Sequence, residues 1–194
     1  MLRSVIISGP PAIGKTTIAK GLAKEFGLKY LSGGDVLKDM AKEEGFETER
    51  DDFWDTEAGM KFLNMRKGNP EFDKVVDEKL KKMFVTEDVV MTSYTLPWLV
   101  KEGIKIWLAG SQEISAKRMT TRDNISYDDA SGIVKKRYEE NKMIYKKLYG
   151  FNFGDDLSVF DEIINTDGLG PGQVLELAKK TVKNHYDTQT TRKS

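Results

Sequence analysis

The sequence contains no cysteine, which excludes disulfides, thiolate-bound zinc and a cysteine nucleophile together. Its single histidine, His185, lies far along the last expected helix and reads as a surface residue rather than a base. There is no excess of either charge, with 31 Lys and Arg against 31 Asp and Glu. No global field therefore draws a polyanion, and nucleic acid is not an expected partner. No run approaches the roughly eighteen apolar residues that a membrane span needs. No charged segment followed by a long apolar run marks a signal peptide, so the sequon Asn124-Ile125-Ser126 reads as chance. The guanine-binding pattern Asn-Lys-x-Asp is also missing, which argues against a GTPase switch. These absences leave a cytoplasmic protein whose anion affinity must be local.

What is present is a chain of 194 residues, 39% hydrophobic and 32% charged. That length suits one domain burying roughly two-thirds of its unfolded surface. Short β-rich runs are expected at 2–8, 28–31, 88–91, 104–108 and 162–165. Helical spacing is expected over 15–26, 35–44, 57–67, 70–84, 111–122, 127–149 and 171–186, with a break near Gly132 and Pro70 at a first helical position. The stretch 47–56 reads as irregular and 187–194 as a frayed tail. Strands alternating with helices imply a three-layer α/β fold, a five-stranded parallel sheet with helices on both faces. Neither repeats nor a linker divide the chain, so 1–194 is read as a single domain.

Between the first strand and the first helix stands Gly9-Pro10-Pro11-Ala12-Ile13-Gly14-Lys15-Thr16, followed by Thr17. It matches the phosphate-binding pattern G-x-x-x-x-G-K-[ST] in full. The two glycines let successive amide N–H groups point inward at phosphate oxygens, and the helix adds its positive end. Lys15 reaches the β- and γ-phosphates, and the Thr16 hydroxyl completes a Mg²⁺ shell. ATP with Mg²⁺ is the expected cofactor pair. The nearby Leu31-Ser32-Gly33-Gly34-Asp35 is read as a strand-to-helix turn in which Ser32 or Asp35 caps the helix.

In order along the chain, this loop, the Ser32–Asp35 turn, Arg118 with Arg122, and Arg137 resemble the nucleoside monophosphate kinases, and archaeal cytidylate kinases in particular. The resemblance extends to Asn69-Pro70-Glu71-Phe72-Asp73 with Asp77, Ile104–Leu108, Arg122–Tyr127, Tyr145–Gly150 and Asp156–Asp161. It implies a P-loop kinase fold with a helical acceptor-binding arm at about 35–85 and a small lid at about 118–137. It implies that Arg118 lies against the adenine, that Arg122 and Arg137 close over the transferring phosphates, and that Asp35 holds a Mg²⁺-bound water. Lys15, Arg122, Arg137 and Asp35 are thus the expected catalytic group, with Asp35, Asp73 and Asp77 candidates for accepting an acceptor proton.

The chain departs from that family on the acceptor side. The family's Glu-Gly-Arg turn after the third strand is replaced by Thr92-Ser93-Tyr94, an Arg near the second helix by Lys38, and a further Arg by Ile144. Each charge-assisted phosphate contact is worth about 1.5–3 kcal/mol, so the set points away from a nucleotide. Lys38, Trp54, Asp73, Asp77, Tyr94 and Trp98 are the expected acceptor residues. A small phosphorylated alcohol is the expected acceptor, mevalonate 3-phosphate 5-kinase being the matching activity. Cytidylate kinase and a non-catalytic ATP-binding regulator are the alternatives. No long unpaired apolar stripe signals an oligomer, and the oligomeric state stays open.

Overall fold

The computed structural model describes residues 3–48, 53–68 and 71–191. The family mark Asn69-Pro70, and with it the expected helix start at Pro70, lies outside the described residues, as does 192–194 of the tail. Five parallel strands form one sheet: β1 (Val5–Ser8), β2 (Lys29–Ser32), β3 (Val89–Thr92), β4 (Ile104–Ala109) and β5 (Glu162–Asn165), in the order β2-β3-β1-β4-β5. Val5 stands opposite Val90 on one side and Ile104 on the other. β1 and β3 are buried along their whole length, the mark of central parallel strands covered on both faces.

The period of two divides the strand residues between two cores. Val5, Ile7, Val90, Ile104, Ile106 and Leu108 meet α1 (Lys15–Phe26) and α8 (Pro171–Thr191) through Ile18, Leu22, Val174, Ala178 and Val182. Ile6, Val89 and Met91 face the other way, onto α2 (Gly33–Glu43), α3 (Glu57–Gly68) and α4 (Glu71–Thr86) through Leu37, Phe62, Val76, Leu80 and Phe84. A short helix, α5 (Leu96–Leu99), and one 3₁₀ turn at Phe53–Asp55 were not expected from the sequence. Among the described residues no helix is long and apolar enough to cross a membrane.

α6 (Gln112–Asp123) and α7 (Tyr127–Tyr149) form a tight hairpin. The sequon residues make its corner. Asn124 ends α6 in the left-handed region at φ 54°, and the Ser126 hydroxyl accepts from Asp129 N at 3.1 Å to start α7. α7 runs unbroken through Gly132, because the buried stripe Ala130, Val134, Asn141, Ile144, Tyr145 outweighs the roughly 1 kcal/mol that an interior glycine costs. α8 likewise continues to Thr191, so the frayed reading of 187–191 is corrected. Below the hairpin lies an aromatic cluster around Trp107, Tyr145 and Phe153.

Candidate active site

The carboxyl ends of the strands open into one cleft of about 780 Å³, where open α/β sheets place their ligands. Its floor is the loop between β1 and α1. Gly9 has φ 147° and Gly14 φ 104°, and a Cβ on Gly9 would collide with the Leu108 carbonyl. Ala12 is also left-handed, at φ 57°, and such strain in a non-glycine residue is a feature of functional loops. α2, α6 and α7 each start with a serine hydroxyl bonded to a first-turn N–H. α1 starts at Gly14 with no side-chain cap and no acidic residue in its first turn. Its end is thus open to an anion, with Thr16 and Thr17 exposed beside it.

Lys15 Nζ donates to the carbonyls of Gly9 (2.9 Å) and Pro10 (2.5 Å), arching across the loop. It sits 4.6 Å from the centroid of the Tyr94 ring. Burial, and then the charges of Arg137 and Arg122, hold its ammonium well below the usual lysine range. Three basic side chains thus line one cleft within one another's field, an arrangement that a multiply charged phosphate group stabilises. Arg122 also forms a two-pronged pair with Asp123, at 2.6 and 2.7 Å. Arg118 is held more firmly: Nη1 donates to Ile13 O (2.8 Å) and Thr166 Oγ1 (2.9 Å), and Nη2 to Thr166 O (3.0 Å). It ties the phosphate loop to the segment after β5 and borders a second, open groove along Gly168–Gly170.

Another part of the lining is acidic. Asp73 and Asp77, one turn apart on α4, are 3% and 5% exposed and line the cleft. Asp77 Oδ1 accepts from Thr95 Oγ1 at 2.5 Å and Oδ2 from Tyr149 OH at 2.7 Å. Burial and the Asp77 carboxylate push the Tyr149 phenol far up, so it stays a donor. Asp35 and Lys38 reach the cleft from α2. Ser32 is the cap of that helix, its hydroxyl accepting from Asp35 N at 3.3 Å. Trp54 lines the cleft while packing on Phe53 and Phe62.

Trp98, expected at the acceptor, is not there. Its ring stacks on Phe151 at 4.6 Å within the aromatic cluster, its Nε1 buried without an acceptor among the described residues. Thr95, one of the hydroxyl-bearing residues in the stretch that replaces the family's acceptor turn, and Tyr149 were not among the expected site residues. Neither has a pattern of its own, and only the fold brings position 149 to position 77.

Against known proteins, the sequence pattern of the Cytidylate kinase-like family matches residues 4–168. The chain belongs to this family. It is 34% identical to the cytidylate kinase of Sulfurisphaera tokodaii, over 89% of this chain and 91% of that protein. It is 35% identical to that of Saccharolobus islandicus strain L.S.2.15, over 89% and 87%. In fold it is similar to a gluconokinase from Sinorhizobium meliloti 1021, with TM-score 0.59 at 14% identity, covering 98% of this chain and 97% of that one. This cytidylate kinase-like protein is therefore an ATP-dependent phosphotransferase, and the regulator alternative falls away.

The expected mevalonate 3-phosphate activity is overturned by these relatives, which are named cytidylate kinases. The physical argument behind it weakens as well. Ile144 is buried in the aromatic cluster, so its departure from arginine is a matter of packing. Ser93 accepts from the N–H groups of Thr95 (3.2 Å) and Leu96 (3.0 Å), serving the short helix α5. Of the acceptor-side changes, Lys38, Thr92, Ser93 and Tyr94 line the cleft, and Ile144 is not among its lining residues.

Proposed function

We propose that this cytidylate kinase-like protein transfers the γ-phosphoryl group of ATP to a nucleoside monophosphate, cytidylate before others. One observation carries the reading: a single cleft joins three cations, Lys15, Arg122 and Arg137, to a wall of two buried carboxylates, Asp73 and Asp77. A nucleotide has that polarity, with a phosphate at one end and a base at the other. Cytosine presents an exocyclic amine that a carboxylate accepts from, whereas uracil presents a carbonyl that it repels. Arg118 and the groove beside it are suited to the adenine of ATP, outside the cleft's acceptor half.

The reaction breaks the bond between the γ-phosphorus and its bridging oxygen and forms one to an oxygen of the acceptor phosphate, giving two nucleoside diphosphates. That oxygen is already largely ionised near neutral pH, so none of Asp35, Asp73 and Asp77 is needed as a base. Lys15 and the two arginines stabilise charge on the transferring group. Among the described residues no group of three or more metal-ligating side chains is assembled. An ion caged by protein does not fit, but Mg²⁺ held by Thr16, water and phosphate oxygens does, with Asp35 on a water. Bound there it neutralises charge on the β- and γ-phosphates. On this reading the enzyme works in the cytoplasm.

The test is ADP release from Mg·ATP with CMP, dCMP, UMP, AMP and GMP. CMP should be preferred, and Lys15→Ala should lower kcat on the order of 10²–10³-fold. ATP binding with no nucleoside monophosphate raising ADP release above the water background would refute the assignment.

A further inference from the structure

We infer that Tyr94 is a positioning residue for Lys15, its ring face fixing the ammonium so that one donor remains directed to the phosphates. The inference rests on the kinase reading only in giving Lys15 a phosphate to meet. An ammonium has three N–H donors, and two are committed to Gly9 O and Pro10 O. The Tyr94 ring stands 4.6 Å from the same nitrogen, within the reach of a cation–π attraction. That ring has little freedom. It meets Phe153 edge-on at 5.4 Å and Tyr145 at 6.2 Å, and both are buried. Tyr145 lies two turns beyond Arg137 on α7, so the element that brings Arg137 to the site also braces the ring.

The electrostatics require some such support. Lys15, Arg122 and Arg137 repel one another before any phosphate arrives, and the lysine, held low first by burial, is lowered further by the two arginines. A negative ring face opposes that repulsion without presenting an anion, so it does not compete with the phosphate for the lysine. A guanidinium at position 94 would add a further positive charge to the same cleft. A carboxylate would pair with the lysine and divert it.

Four variants test this through Mg·ATP affinity, which needs no acceptor and so is separable from the proposed substrate. Tyr94→Leu keeps bulk but removes the ring and should weaken affinity between about 2- and 30-fold. Tyr94→Phe keeps the ring face and should rescue it. Pentafluorophenylalanine at position 94 keeps a ring of inverted polarity and should behave as leucine does. In a Lys15→Met background the differences should vanish. A Lys15–Tyr94 double-mutant cycle on urea midpoints of the free protein gives a second measure, expected to show a favourable coupling. The idea is overturned if phenylalanine is as damaging as leucine, if the fluorinated ring behaves as phenylalanine, or if the leucine loss persists without Lys15.

Discussion

A Tyr149→Phe variant removes one oxygen atom and with it one of the two hydroxyls that hold the Asp77 carboxylate, at 2.7 Å from Oδ2. Thr95 still holds Oδ1. A hydrogen bond to a charged group contributes about 1.5–3 kcal/mol. Tyr149 is only half-buried, so water can replace part of it and the loss should lie near about 1.5 kcal/mol. With a urea slope of about 1–3 kcal/mol/M, the midpoint should fall by roughly 0.5–1.5 M. The pH dependence has a definite sign. The folded phenol is pushed up by burial and by Asp77, while the unfolded one ionises near about 10. The wild-type advantage is complete below that value and shrinks as pH rises above it, because the unfolded chain then loses a proton that the folded one keeps. The gap in urea midpoint between wild type and variant should thus be constant over neutral pH and narrow in alkali. The preference for CMP over UMP should fall with it, since Asp77 is freed to turn. An unchanged midpoint with an unchanged preference would refute the Tyr149–Asp77 link as a support of the acceptor wall.

Trp98→Phe should change kcat/KM for the acceptor less than about 2-fold and stability by no more than about 1 kcal/mol, since it keeps a stacked ring and removes an N–H with no acceptor among the described residues. A large rise in acceptor KM would return Trp98 to the binding site. Arg118→Lys cannot reproduce a planar fork with bonds to Ile13 and Thr166, so KM for ATP should rise about 10-fold or more with acceptor KM little affected. Steady-state kinetics with each substrate varied in turn separates the two.

The fold was largely legible because its signals are local. The strand positions and the helices at 15–26 and 127–149 follow from apolar periodicity bounded by Gly and Ser, and the structure keeps them within a residue or so, except that the first strand, expected over 2–8, begins at Val5. The phosphate loop was legible for the same reason: its geometry is made by nine neighbouring residues. The strand order was not read, nor was helix α5, whose four residues are too few to show a period. On the acceptor side the reading failed where contact depends on distant elements. Trp98 and Tyr94 are four residues apart and looked alike as aromatics after β3. One turn of helix sends Trp98 into the cluster with Phe151 and leaves Tyr94 facing Lys15. Ile144 looked like a lost phosphate ligand until the fold showed it among aromatic rings.

The balance of 31 basic and 31 acidic residues gave no hint of the polarity inside the cleft. Much of the charge there is grouped by element: α1, α6 and α7 supply Lys15, Arg122 and Arg137, and α4 supplies Asp73 and Asp77, while α2 supplies one group of each sign, Asp35 and Lys38. Low-dielectric walls focus such a field however neutral the chain as a whole. On the proposed reading, that grouping also disfavours the reverse pose of an acceptor. A phosphate set against Asp73 and Asp77 would meet two buried like charges, and a base set against three cations would leave them without a counter-charge. Direction is thus favoured before any specific hydrogen bond forms. Lys38, on α2, lines the same cleft, and on the proposed reading it is a cation that meets the acceptor's own phosphate as it enters.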